Sequence, residues 1–167
     1  MDAAPHHDQS FEAWYRAAWT PLVRGLVAYS GDLDLATDAA AEACAHALAR
    51  WGDVQHMTSP LGWAFTVGRS HIGRARRRAR LASLVRQHPA RIAHDDAADD
   101  VVERLRVVSA LQGLPPRQRE AVILCYLLEQ TQEEAARVMG ISRGGLAATL
   151  HDARRNWPLE PSPEEVR

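Results

Sequence analysis

The chain has 167 residues, 46% of them hydrophobic and 25% charged, with a formal net charge of −1. The longest apolar run is far short of a membrane span and no basic-then-apolar leader opens the chain, so a cytoplasmic protein without membrane insertion is expected. Cys44 and Cys125 lie far apart, and His6 and His7 sit in a polar N-terminal stretch, so no metal site, disulfide or cofactor is expected.

Length alone does not choose between one domain and two small ones. The near-zero total charge hides a strong segregation. Residues 1–68 hold three Arg against eight acids, residues 69–92 hold eight Arg and no acid, and residues 93–105 hold Asp95, Asp96, Asp99, Asp100 and Glu103 against Arg104. Charge in blocks of this kind is informative where the total is not. Every basic residue is Arg, a choice that genome composition alone would explain.

From Phe11 onward, Trp14, Tyr15, Ala18, Leu22, Leu26 and Tyr29 recur at three- and four-residue steps, one face of a helix. Pro21 after Thr20 predicts a kink or a restart, with Thr20 as N-cap. Gly31 ends the segment, and Asp32 or Asp34 can cap the next. Residues 35–51 carry a stripe of Ala36, Ala39, Ala40, Ala43, Ala47 and Trp51, whose small side chains would let a neighbouring helix approach closely. A polar break at 52–60 ends in Ser59-Pro60, and a third helix is expected from about Leu61 to Arg80. No alternating strand pattern appears, so the fold class is all-α.

Residues 86–103 lack helical periodicity until Val101, and 83–104 read as a flexible acidic linker. The second block follows over 105–157, with a tail at 158–167. In "LQGLPPRQRE", Gly113 and two prolines separate helices, and Pro116 suits a first helical turn. Val122, Ile123, Tyr126 and Leu127 then form an apolar face. "TQEE" at 131–134 fits a capping box of Thr131 and Glu134. The short helix it opens stops at Gly140, and Ser142 caps another. Ala136, Gly140 and Leu146 have the spacing of a helix-turn-helix. The reading is therefore two small helical domains joined by a linker, the first over 1–82 and the second holding the helix-turn-helix.

These residues resemble the extracytoplasmic-function type of bacterial RNA polymerase sigma factor. "SGDLDLATDAAAEACAHALARW" (30–51) looks like the family's second-region helix. "WAFTVGRSHIGRARRRAR" (63–80) resembles the helix that follows it, with an aromatic start and an Arg-rich end. "LQGLPPRQREAVILCYLLEQTQEEAARVMGIS" (111–142) is very similar to the fourth region. The resemblance covers roughly residues 10–80 and 105–155. It implies a protein without catalysis that binds core RNA polymerase, directs it to promoter DNA and helps open the minus-ten element, with an anti-sigma factor as a conceivable inhibitor.

Carried onto this chain, the resemblance implies polymerase docking through Asp38 and Glu42, where complementary charge would set the register; a solvated helix face is the plain alternative. It implies minus-ten contacts from the loop at 52–62, with His56 and Met57, and from the helix carrying Trp63, Arg69, Ser70, Arg74, Arg76, Arg77 and Arg78. Each Arg on a phosphate would release counterions, and single strands also need aromatic platforms; a solvated basic helix is the alternative. The linker would follow a polymerase channel built for nucleic acid, or serve only as a spacer. For the minus-thirty-five element it implies Ser142, Arg143, Gly144, Thr149, His151, Arg154 and Arg155.

The pattern departs from the family in specific places. Ala147, Thr149 and Asp152 stand where basic residues are usual in the recognition helix. Ala41 replaces a common Gln, Cys44 an aromatic and Arg74 an acid. A weakened upstream contact is therefore expected, and a sigma-like interaction protein that docks on polymerase or a regulator without reading the minus-thirty-five element is the alternative. A dimeric helix-turn-helix regulator would not need the first block. An enzyme is disfavoured, since no Gly-rich phosphate loop, paired-carboxylate motif or metal-ligand spacing appears.

Overall fold

The computed structural model describes residues 10–83 and 99–157, and all regular structure among them is helical. The first block contains α1 (Phe11–Ser30), α2 (Leu33–Ala49), the single turn α3 (Trp51–Val54) and α4 (Pro60–Ser83). The second contains α5 (Asp99–Gly113), α6 (Pro116–Val122), α7 (Gln132–Met139) and α8 (Arg143–Arg155). His6, His7, Asp95, Asp96, the middle of the expected linker and the tail lie outside the described residues.

Ser10 caps α1 by accepting from the Ala13 amide, and the helix runs unbroken through Pro21 to Ser30. The expected restart at Thr20 does not occur. Pro21 removes one amide donor from the ladder, but Trp14, Ala18, Leu22 and Leu26 bury one continuous face on both sides of it. Two fully buried Leu side chains, Leu22 and Leu26, at about 1.5–3 kcal/mol each, outweigh one missing hydrogen bond. Gly31, at φ 72°, closes the helix by donating to the Val27 carbonyl. Asp32 then caps α2 through the Leu35 amide at 2.9 Å.

The alanine stripe of α2 behaves as its spacing predicts. Ala36, Ala39, Ala40, Ala43 and Ala47 are fully buried, and α4 lies against them with Phe65 and Ile72 in the core. Trp51 packs edge-on to Phe11 and tilted to Trp14, with ring centroids 5.5 and 5.2 Å apart. This aromatic cluster ties the start of α1 to the start of α3.

In the second block, α5 reaches back to Asp99, into the stretch expected to be linker. Pro116 occupies the first turn of α6, where its missing amide costs nothing. The apolar segment that follows is not α-helical: residues Ile123–Leu127 form a π turn. One extra residue in the turn rotates the face that sequence periodicity predicts. Ile123 and Leu124 are buried, while Tyr126, expected on the apolar face, is 56% exposed.

The capping box of α7 is present, with the Glu134 amide donating to Thr131 Oγ1 and Glu134 Oε2 accepting from the Thr131 amide. Gly140 at φ 65° and the Ile141 amide on the Ala136 carbonyl form the tight turn into α8. Ser142 caps α8 through the Gly145 amide, and Leu146, Leu150 and Ala153 bury its inner face. A helix-turn-helix results.

The two blocks pack on each other. A single apolar core contains Leu22, Leu26 and Phe65 of the first and Leu111, Leu114, Ile123, Leu124 and Leu128 of the second. Gly25 marks the close approach on α1: a Cβ there would lie 3.1 Å from Leu128 Cδ2 and 3.4 Å from Ile123 Cγ2.

Candidate nucleic-acid interface

Asp38 lies on the solvent side of α2, one turn before the half-buried Glu42. Glu42 pairs with His46 at 3.2 Å, so Asp34, Asp38, Glu42 and His46 form one strip opposite the alanine stripe. Ala41 lies in the same solvent-facing surface, whereas Cys44 is buried and its thiol is pushed up to about 11 by desolvation. Burial raises the Cys125 thiol as well. Neither cysteine is a reactive thiolate. Among the described residues no cluster of His, Cys, Asp or Glu could hold a metal ion, and no helix is long and apolar enough to cross a membrane.

The Arg-rich half of α4 divides in two. Arg74, Arg77 and Arg78 stand exposed, as does Ser70, whose hydroxyl donates to the Thr66 carbonyl. Arg69 and Arg76 are engaged. Arg69 Nε lies 3.2 Å from Glu120 Oε1 of α6, and the Glu120 side chain is only 8% exposed. Burial raises the Glu120 carboxyl above the ordinary range, with Arg69 and then Arg117 pulling it back down. Arg76 donates to the Ser30 carbonyl at the end of α1.

The loop before α4 is partly covered too. His56 is exposed. Met57, Thr58, Ser59, Trp63 and Thr66 form one wall of a cleft of about 260 Å³, and Glu134, Arg137 and Val138 of α7 form the other. Two cross-block hydrogen bonds close it: Ser59 Oγ donates to Gln130 Oε1, and Arg137 donates to Thr58 Oγ1 at 3.1 Å.

Sequence reasoning missed the residues that hold the two blocks together. The last carbonyls of α1 have no basic side chain of their own helix nearby. Gln112 Nε2 donates to the Ala28 carbonyl at 2.7 Å and to that of Tyr29 at 3.0 Å. Arg119 Nη1 donates to the Tyr29 carbonyl and to Gln112 Oε1, while Nη2 reaches the Gln112 and Leu114 carbonyls. A cation at a helix C-terminus is favourable because the carbonyl dipoles point at it. The available signal was an arginine one turn after Pro116, at the mouth of an apolar helix and followed by a glutamate.

On α8 the expected residues differ in exposure and in what they already bond. Ser142 is spent on the cap, and Arg143, Gly144, His151, Arg154 and Arg155 are exposed. Thr149 is half-buried and donates back to the Gly145 carbonyl, so its hydroxyl is occupied. Arg154 reaches Tyr126 Oη at 3.0 Å. Ala147, Ala148 and Asp152 are exposed among them, leaving a helix surface with little charge to offer at its middle.

The arrangement is that of a two-block, all-helical protein with a helix-turn-helix in its second block. Residues 104–156 match the family described as Sigma-70, region 4. Over 59 residues, or 35% of this chain, it is 36% identical to the RNA polymerase sigma-E factor of Streptomyces coelicolor and 32% identical to that of Streptomyces antibioticus. The chain spans about a third of the length of these relatives, 33% of each.

In fold it is similar to the sigma factor RpoE solved with the anti-sigma factor NepR from Bartonella quintana. That match has a TM-score of 0.74 at 21% identity and covers 88% of this chain and 93% of that one. It is also similar to CnrH solved with the cytosolic domain of CnrY, with a TM-score of 0.60 at 21% identity over 88% and 84% of the two chains. The second block thus matches sigma-70 region 4 by sequence, and both blocks share the fold of these solved proteins.

Proposed function

We propose that the chain is a promoter-specificity factor that binds core RNA polymerase and directs it to promoter DNA in the cytoplasm, itself performing no catalysis. The match of residues 104–156 to sigma-70 region 4, on a helix-turn-helix with its cap and turn in place, carries this reading. The acidic strip of Asp38 and Glu42 is the polymerase-docking surface. His56, Met57, Trp63, Arg69, Ser70, Arg74, Arg76, Arg77 and Arg78 form the surface for the opened minus-ten strand. Arg143, Gly144, Thr149, His151, Arg154 and Arg155, with the cap at Ser142, form the surface for the minus-thirty-five duplex. An anti-sigma factor is the expected class of inhibitor, since the RpoE of similar fold named above was solved with one.

The α8 surface carries a minority of the promoter affinity. An arginine bidentate on a guanine contributes about 1–3 kcal/mol of base discrimination. Ala147 and Ala148 offer none, and Asp152 repels phosphate. The Arg-rich helix and polymerase itself carry the rest. Run-off transcription with purified core polymerase and a genomic promoter pool tests the reading. Discrete transcripts that depend on this chain are expected; polymerase binding without initiation at any promoter would refute it.

A further inference from the structure

A groove of about 420 Å³ lies within the second block, apart from the cleft between the blocks, and is of the usual size for a small-ligand site. Leu111 of α5 and Leu150 of α8 are buried beneath it, while Val107, Val122, Leu127 and Trp157 stand half-buried around it. The π turn at Ile123–Leu127 shapes it. There the apolar run at 122–127 divides: Ile123 and Leu124 enter the core, and Val122, Tyr126 and Leu127 line the groove. Such turns are rare and recur at functional sites. Asn156 Nδ2 donates to Gln118 Oε1 at 3.0 Å and braces the end of α8 against α6.

The polar atoms of the groove converge at one edge. Arg154 Nη2 donates to Tyr126 Oη at 3.0 Å, which leaves the phenol proton to donate elsewhere, and both side chains are exposed. Among the described residues no carboxylate lies within ion-pair distance of Arg154. We propose that this groove binds a free, single-chain alkyl carboxylate, its chain on the apolar wall and its head group on Arg154 and Tyr126. One guanidinium fork matches the two oxygens of a carboxylate. A dianionic head group would meet a single cation. Because the polar edge is exposed, the head group adds only a few-fold to affinity. The chain supplies the rest, about fourfold for each methylene buried. Such binding does not depend on α8 touching DNA.

Titration of the full chain with hexanoate, octanoate and decanoate, each below its micellar concentration and followed by proton–nitrogen correlation spectra, tests this. Saturable shifts are expected at Val107, Val122, Tyr126, Leu127 and Trp157, with affinity rising about fourfold per methylene along the series. Decanol should bind a few-fold more weakly than decanoate, and decyltrimethylammonium more weakly still. Arg154→Ala should erase the difference between decanoate and decanol, and Tyr126→Phe should narrow it. Val107→Trp fills the groove and should weaken every ligand tenfold or more. Circular dichroism establishes whether this last variant keeps its helices; if it does not, the two substitutions at exposed positions decide the matter.

The absence of saturable shifts would overturn the proposal, as would shifts gathered instead at the exposed Leu33, Leu48 and Leu81. Equal affinity for decanoate and decyltrimethylammonium would remove the role of Arg154 and overturn it too. Analytical ultracentrifugation of the ligand-free chain supplies the last arm. A dimer whose formation protects the amides of Val107 and Tyr126 from hydrogen exchange would mean that a second copy covers the groove, and the alkyl carboxylate would be refuted as its occupant.

Discussion

Arg119 sits with one guanidinium nitrogen 2.9 Å from the Tyr29 carbonyl and its central carbon 5.6 Å from the centroid of the Tyr29 ring. A residue of the helix-turn-helix block thereby completes the last turn of the first helix of the chain. Among the described residues helix carbonyls and an aromatic face, rather than a carboxylate, surround it. Burial lowers the pKa of this guanidinium, the ring hydroxyl of Tyr29 raises it, and Arg76 lowers it again.

Arg119→Ala should destabilise the protein by about 3 kcal/mol, since hydrogen bonds to charged groups contribute about 1.5–3 kcal/mol and the substitution strands buried carbonyls. Arg119→Lys should recover only part of this, because an ammonium cannot reach the Tyr29, Gln112 and Leu114 acceptors together. Urea denaturation followed by circular dichroism checks both. Wild-type stability in Arg119→Ala would show that the contact does not hold the blocks together.

Glu120 predicts a pH dependence with a definite sign. Its carboxyl is raised in the folded protein, so the folded state holds the proton more tightly than the unfolded state does. Its contribution is therefore most favourable below the ordinary carboxylate pKa, declines as pH rises to the raised folded value, and is a net cost above it. Glu120→Gln should flatten that part of the stability–pH curve and leave stability at neutral pH equal or slightly higher, as when buried ionic pairs are replaced by neutral groups. Thermal melts of both proteins across the acid range provide the comparison. A variant strongly destabilised at neutral pH would mean that the Arg69 pair outweighs desolvation.

On α8, under the proposed function, Arg143→Ala should weaken binding to promoter duplex and reduce the salt slope by about 0.9, the value for one phosphate contact on B-DNA. Arg154→Ala should have a smaller effect, since that side chain already reaches Tyr126. Ala147→Arg, at an exposed position, should tighten binding. Filter binding or anisotropy at several salt concentrations reads all three; unchanged affinity and slope throughout would show that α8 does not hold DNA.

Thr131→Ala removes the hydroxyl that accepts from the Glu134 amide and leaves only the backbone half of the capping box. The cost should be about 1 kcal/mol, within the usual range for an N-cap. Because α7 also forms the far wall of the Met57–Trp63 cleft, hydrogen exchange should quicken there as well as in α7 itself. Faster exchange confined to α7 would show that the cap acts locally.

The Asp38→Arg variant should weaken association with core polymerase while leaving the melting temperature within about 0.5 kcal/mol of the wild type in equivalent stability, as for an exposed position. Surface plasmon resonance on immobilised core enzyme checks this. Equal binding would return the strip to an ordinary solvated face.

Local chemistry was legible in the chain wherever the deciding forces are local. The helical face from Trp14 to Leu26, the alanine stripe of α2, the cap at Asp32, the capping box of Thr131 and Glu134, and the Gly140 turn all follow from side-chain period and backbone hydrogen bonding a few residues apart. They appear in the structure where the spacing puts them. Pro21 and the π turn at Ile123–Leu127 were misread because packing between helices, invisible in a local window, overrode the regular ladder. The same limit explains the site. The sequence by itself determined two helical blocks, an Arg-rich helix and a helix-turn-helix whose second helix carries Ala147 and Ala148 at its middle. Only the tertiary structure decided which arginines are engaged inside the fold, because that depends on contacts between residues such as Arg69 and Glu120, or Tyr29 and Arg119, held far apart along the chain and joined through a shared apolar core.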